Sequence, residues 1–281
     1  MRIASYLLPD GTRSYGLVRE DRIVDSGPQL RAEFADLRAL LSASATKRLE
    51  TADGGEMGLG EVRLLPPVPN PDKIICIGLN YMSHIKETGR DKPEYPSVFT
   101  RYPATLVGHG QPIVRPKISD HFDFEGELAV VIGKSGRAIP QEEAMNHVGG
   151  YTCLNDGSIR DYQRHTTQFW AGKNFDRSGA TGPWLVTTDD IPDPAALSLQ
   201  TRLNDEVMQQ TKLSDLAFSI SELIAYLSIV TELFPGDLIA TGTPSGVGAF
   251  RNPKVFMKPG DRIEVEISGI GILANDVIDE N

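Results

Sequence analysis

The sequence predicts a mainly β, α+β fold in two unequal parts, and three observations carry that reading. The 281 residues include 27 glycines and 19 prolines, a content that favours many turns between short strands. Short apolar runs recur along the chain, each stopped by glycine or proline. Pro66-Pro-Val-Pro-Asn-Pro71 reads as a stiff extended connector. The boundary is therefore placed there, with a small N-terminal α/β domain at 1–68 and a larger domain at 72–281.

Residues 2–8 and 15–24 read as strands joined by the Pro9-Asp10-Gly11 turn. Leu30, Phe34, Leu37, Leu40 and Leu41 recur at helical spacing and predict a helix over 30–50, broken by Thr51-Ala-Asp-Gly-Gly55. The first sixty-odd residues carry no cluster of chemically pointed groups and read as a structural or oligomerisation module. Past the connector, Lys73 to Ile77 is a buried strand ending at Gly78, and 80–89 is a short helical or loop stretch closed by Gly89. Residues 97–114 read as strand segments broken by Gly108-His-Gly110, which makes His109 a loop residue. Residues 127–132 form an apolar strand closed by Gly133. A short helix at Pro140 to His147 and a strand at Tyr151 to Leu154 follow. Residues 197–203 alternate as a strand, and Ser219-Ile-Ser-Glu222 is a capping box. The helix it opens puts Leu223, Ile224, Leu227, Val230 and Leu233 on one core face. Two Pro-Gly-Asp turns then feed the strands 238–240 and 262–267.

A formal charge of −10 argues against a nucleic-acid footprint, which needs a clustered basic face. The start is too short and polar for a secretory signal, and no run approaches the length of a membrane span. Cys76 and Cys153 sit in apolar segments and read as buried free thiols, so a reducing, cytoplasmic location is expected.

The chemistry gathers around Glu125 and Glu127. On a strand they share a face, with Cα atoms roughly 7 Å apart. Two like charges at the mouth of an apolar strand need compensation, which a divalent cation supplies through oxygen ligands. Asp156, at the end of another strand, is a third carboxylate, although an Asn-Asp-Gly turn alone explains its position. His121 and Asp123 share the alternation and are further candidate ligands. His84 and Glu87, three apart on a helical turn, can act as a base and the carboxylate that orients it. Arg101, among apolar and aromatic residues, reads as a carboxylate clamp, and Lys173 as a desolvated cation available to an anion. Glu264 and Glu266 repeat the glutamate spacing, but strict alternation with Ile263, Val265 and Ile267 marks a half-exposed strand. The loop Thr241-Gly-Thr-Pro-Ser-Gly-Val-Gly248 lacks the Lys-Ser/Thr ending of a nucleotide loop. Its amides and hydroxyls can still cradle a carboxylate.

Five motifs arrive in order: Gly78-Leu-Asn-Tyr-x-x-His84-x-x-Glu87, Glu125-x-Glu127, Asn155-Asp156-x-Ser158-x-Arg160-Asp161-x-Gln163, Gly172-Lys173 and Thr241-Gly-Thr-Pro-x-Gly-Val-Gly248. Over about residues 72–280 the chain thereby resembles the fumarylacetoacetate hydrolase family, in its acylpyruvase-like and 2-hydroxyhepta-2,4-diene-1,7-dioate isomerase-like branch. The resemblance implies a mixed β-sandwich roll as the catalytic domain and a homodimer. It implies Mg²⁺ (or Mn²⁺) on Glu125, Glu127 and Asp156. His84 and Glu87 match a water-activating dyad carried on a lid, while Gln163, Lys173 and Thr243 match substrate-holding positions. The implied activity is hydrolysis of a C–C bond in a 2,4-dioxo acid, of acylpyruvate or fumarylpyruvate type, to pyruvate and a carboxylic acid. Its setting would be aromatic or sugar-acid catabolism. The alternative is oxaloacetate decarboxylation, or isomerase or lyase chemistry, on a related 2-oxo acid through the same pyruvate enolate. A non-enzymatic binding protein would need a broken site, yet every matched position is chemically competent. Specificity is expected in the lid and in Arg101, Tyr102 and Gln168. Two departures stand out: Gly157, where the family often carries a bulkier residue, implies a looser turn, and Arg101 stands where relatives commonly carry lysine. The fourth carboxylate ligand of the eukaryotic fumarylacetoacetate enzymes has no secure counterpart.

Overall fold

The strand Gly126–Ile132 is buried at every position in the computed structural model, which describes residues 1–89 and 91–281. A strand buried on both faces needs a layer on each side. Leu128, Val130 and Ile132 enter one core, with Leu199 and Leu203 of the strand Ser198–Leu203, Ile263 and Val265 of Arg262–Ile267, and the helix Ile220–Val230. Ala129 and Val131 enter a second core, filled from the N-terminal segment by Ile3, Leu17, Leu30, Leu37 and Leu40. The fold is mainly β, with mixed sheets, as the sequence predicts.

Twelve strands form the larger sheet. Its path runs from Glu56–Gly58 through Arg22–Asp25, Arg13–Arg19 and Arg2–Leu7 to Gly179–Thr187, Val148–Asn155 and Gly126–Ile132. It ends through Leu238–Ala240 and Ile74–Gly78 at Ser97–Arg101. Most neighbours are antiparallel, but Leu238–Ala240 runs parallel to Ile74–Gly78. A five-stranded sheet covers one face. One sheet crosses the expected boundary at 68–72, because Arg2 pairs with Val186 and Ile3 with Leu185.

Several expected elements are divided. The run 15–24 becomes parts of two strands that turn at Glu20 and Asp21, with Glu20 at φ 53°. The helix expected over 30–50 is two helices, Gly27–Glu33 and Leu37–Ser42, and a 3₁₀ stretch, Thr46–Thr51. Asp36 explains the division, since its carboxylate accepts from Ala39 N at 2.8 Å and caps a new helix inside the apolar stripe. Gln141–His147 is likewise 3₁₀. The capping box forms as expected, with Ser219 Oγ accepting from Glu222 N and Glu222 Oε2 accepting from Ser219 N. Both cysteines are buried and free. Among the described residues, no helix is long and apolar enough to cross a membrane.

Strand register builds the site. Gly126 lies opposite Asn155, and Ala129 opposite Ala240. Glu125, Asp156 and the loop from Thr241 therefore leave the sheet at one edge. The helix Met82–Glu87 follows closely on the parallel neighbour, Ile74–Gly78.

Candidate active site

Three buried carboxylates meet at that edge. Asp156 N–H donates to Glu125 O at 2.8 Å, tying the two strand ends together. Glu125, Glu127 and Asp156 each place an oxygen within 4.8 Å of the others. Such a cluster, removed from water, must be compensated. Lys173 Nζ lies 2.5 Å from Glu125 Oε2 and 2.6 Å from Asp156 Oδ2. Arg160 Nη1 lies 2.6 Å from Glu125 Oε1. Among the described residues Glu127 has no cation, and its carboxylate's one hydrogen-bond partner is the Gly242 amide, at 2.9 Å.

The charges follow from these partners. Burial favours the neutral form of Glu125, but Lys173 and Arg160 outweigh it and hold the carboxyl at about 2. Burial, then the charges of Asp156 and Glu125, push Glu127 well above the carboxylate range. A hard, all-oxygen donor set with one carboxylate lacking a cation suits Mg²⁺ or Mn²⁺.

The dyad forms. His84 Nδ1 and Glu87 Oε2 are 2.8 Å apart, and Glu87 Oε1 accepts from Gly246 N at 3.0 Å. Burial would raise Glu87, but His84 and the Gly246 amide hold it below its ordinary value. With Nδ1 engaged, Nε2 remains for the cavity that His84 lines.

The glycine-rich loop does cradle carboxylates, and they are the chain's own. Gly242, Gly246 and Gly248 donate to Glu127, Glu87 and Asp123 respectively. Gly246 has φ +99°, and a Cβ there would stand 2.2 Å from Met208 O, so glycine is required. Thr243 lines the cavity, but its hydroxyl donates to Gly126 O and accepts from Gln209 Nε2. Gln163 also lines it and accepts from Arg160 Nη1 at 3.0 Å.

Other expectations need correction. Arg101 is a clamp, but for the protein: it is buried outside the cavity and donates to Asp156, Gly157 O and Ser178 Oγ. It fixes a candidate metal ligand and offers nothing to a substrate. Gly157 does not loosen its turn, because a Cβ would stand 1.9 Å from Ser178 O. Lys173 is desolvated as expected, yet it is already committed to two carboxylates, and these raise its pKa against the opposing effect of burial. Asp123 is buried and accepts from Arg160 Nε at 2.8 Å, while exposed His121 lies 3.7 Å from Asp161; neither joins the triad. His109 accepts from Ala274 N, as a structural loop residue does. Tyr102 and Gln168 are exposed outside the cavity.

Sequence reasoning assigned no role to Arg160. It bridges Asp123, Glu125 and Gln163, and its Nη2 is buried without a partner. The signal was a lone arginine four residues after Asp156. The cavity of about 390 Å³ above these groups has Phe99, Phe169 and Phe250 among its walls.

A family model described as fumarylacetoacetate (FAA) hydrolase C-terminal matches residues 73–278. Oxaloacetate tautomerase YisK of Bacillus subtilis is 48% identical over 224 residues, covering 78% of this chain and 74% of that protein. The mitochondrial oxaloacetate tautomerase FAHD2A of Bos taurus is 44% identical over 253 residues, covering 89% and 80%. Among solved structures, fumarylacetoacetate hydrolase from Exiguobacterium antarcticum matches with TM-score 0.88 and 33% identity, over the whole of both chains. Maleylpyruvate hydrolase from Sphingobium sp. SYK-6, in complex with manganese(II) and pyruvate, matches with TM-score 0.83 and 31% identity, again over both whole chains.

Proposed function

This chain belongs to the fumarylacetoacetate hydrolase family, and from that premise we propose that it interconverts the keto and enol forms of oxaloacetate. The likeness to two oxaloacetate tautomerases supports the substrate. The observation that carries the chemistry is the buried triad with one carboxylate lacking a cation, beside an oriented histidine.

Glu125, Glu127 and Asp156 would hold Mg²⁺ or Mn²⁺, which when bound supplies positive charge for an enolate oxygen. Lys173 and Arg160, both paired with Glu125, add fixed positive charge that favours an anionic 2-oxo acid nearby. His84 Nε2, with Nδ1 held by Glu87, takes the enol O–H proton and delivers it to C3 in ketonisation, and the two transfers run backwards in the reverse direction. The enol O–H proton is lost as C3 gains one, so no C–C bond breaks and no water is consumed.

Hydrolysis, the first expectation from the sequence, becomes the second reading. The likeness to maleylpyruvate hydrolase favours it, and the same dyad can activate a water to attack C4, with C3–C4 cleavage following. Decarboxylation of oxaloacetate uses the same enolate. One assay separates the three: the enol absorbance of oxaloacetate is followed with Mg²⁺ or EDTA, with CO₂ release and acylpyruvate cleavage measured in parallel. EDTA-sensitive ketonisation without added CO₂ release is the expected result. Cleavage of acylpyruvates with no effect on the enol would refute the tautomerase reading.

A further inference from the structure

Among the described residues three permanent cations line the cavity: Lys173, Arg160 and Arg164. Lys173 pairs with Glu125 and Asp156, and Arg160 pairs with Asp123 and Glu125 while its buried Nη2 has no partner among the described residues. Arg164 differs. Among the described residues no carboxylate lies within 4 Å of its guanidinium, although it closes the helix Arg160–Gln163 at the wall of the same cavity. Its backbone N–H is used at that helix end, donating to Asp161 O, but among the described residues its side chain has no hydrogen bond. Arg160 and Arg164 are four residues apart. Side chains at that spacing share a helix face, about 6 Å apart along the axis. One arginine therefore stands at the carboxylate cluster and the next stands one turn further along the cavity.

A cation without a carboxylate partner at the cavity wall favours a ligand with negative charge at its outer end. The inner end takes a carboxylate and its adjacent oxygen. A four-carbon 2-oxo diacid spans about 4 Å between its carboxyl carbons, through three C–C bonds. With the reach of the carboxylate oxygens, that length bridges the two arginines. We propose that Arg164 is the specificity-determining residue that binds the distal carboxylate and selects short 2-oxo dicarboxylates over 2-oxo monocarboxylates. This rests on the reading of the site as one for 2-oxo acids, and it explains why oxaloacetate, rather than pyruvate, would be its ligand. The arginine is exposed, so solvent screens the contact and its effect is on discrimination more than on total affinity.

The test is calorimetric titration of the Mg²⁺-loaded protein with oxaloacetate and with pyruvate, for the wild type, Arg164→Leu and Arg164→Lys. The wild type should prefer oxaloacetate. Arg164→Leu should weaken oxaloacetate about five- to tenfold, as loss of a partly screened charge-assisted contact implies, and leave pyruvate within about twofold. Arg164→Lys should restore most of the preference. Equal weakening of both ligands would show a merely structural arginine, and an unchanged preference would show a solvated one; either overturns the proposal. Failure of the tautomerase reading is distinguishable: a wild type that binds oxaloacetate through Arg164 but does not hasten ketonisation loses the reaction and keeps the selectivity. A wild type that binds neither ligand overturns both.

Discussion

Two Glu-x-Glu pairs have the same spacing in this protein, one within a strand and one at a strand's start, and their surroundings give them opposite chemistry. At Glu264 and Glu266 the strand Arg262–Ile267 alternates buried apolar with partly exposed charged residues. Arg202 spans both glutamates, at 3.0 Å and 2.6 Å, at a surface that water reaches. At Glu125 and Glu127 the strand is buried on both faces, Asp156 adds a third carboxylate, and Glu127 has an amide for its partner. An exposed pair is solvated and balanced, and contributes little. A buried trio leaves charge over, and that surplus is what a divalent cation satisfies. Spacing alone does not make a site; burial with incomplete compensation does.

The comparison breaks most sharply at the ligands. Glu125→Ala should abolish tight Mg²⁺ and Mn²⁺ binding, with turnover falling at least about 10³-fold, because the enolate charge loses its counter-ion. Isothermal titration with Mn²⁺ reads the first effect and the enol assay the second. His84→Ala separates chemistry from binding: turnover should fall about 10²- to 10⁴-fold with metal affinity kept. If metal affinity fell with it, His84 would belong to the ligand shell and not to proton transfer.

Arg101→Met leaves Asp156 buried without its guanidinium partner. A cost of about 3–5 kcal/mol in denaturant unfolding is expected, together with weaker metal binding, although the residue never reaches the cavity. Asp25 is a control, being a buried carboxylate that is already satisfied. It accepts from Tyr6 at 2.6 Å and from Gly27 N at 2.8 Å, and it pairs with Ser14 and Arg31. Burial raises its pKa, but these partners outweigh it and hold it below its ordinary value. A carboxyl lowered on folding contributes stability above its unfolded pKa, near 4, and loses it as pH falls through the lower folded value. Asp25→Asn should therefore cost about 1–3 kcal/mol at neutral pH and flatten the acid limb of the stability curve, with no change in metal binding. The smallest effect belongs to the exposed pair. Glu264→Gln with Glu266→Gln should shift stability by less than about 1 kcal/mol and leave the enol assay untouched.

What the sequence disclosed follows the same division. The apolar run after Glu127, the alternation around Glu264 and the His84–Glu87 spacing are local patterns, and local patterns survive in a string of letters. The sheet joining residues 2–7 to 179–187 depends on pairing between residues as far apart as Arg2 and Val186, so nothing local announces it. Asp36 inside an apolar stripe was a readable cap, overridden by the stronger helical period. Arg101 was legible as an arginine in apolar company, but the carboxylate it serves, Asp156, lies just past a strand end 55 positions away. The amides of 241–248 were legible as a cradle, whereas Glu127, Glu87 and Asp123 as their occupants emerge only when three separate segments meet.

The most direct measurement is the decay of oxaloacetate enol absorbance across a Mg²⁺ titration, in the wild type, in Glu127→Gln and in Glu264→Gln/Glu266→Gln. The wild type and the distal double variant should show the same saturable acceleration, while Glu127→Gln should stay at the spontaneous rate at every Mg²⁺ concentration. Acceleration by Glu127→Gln equal to the wild type, or none by the wild type itself, would contradict the claim that the uncompensated carboxylate makes this edge of the sheet a metal-dependent enolising site.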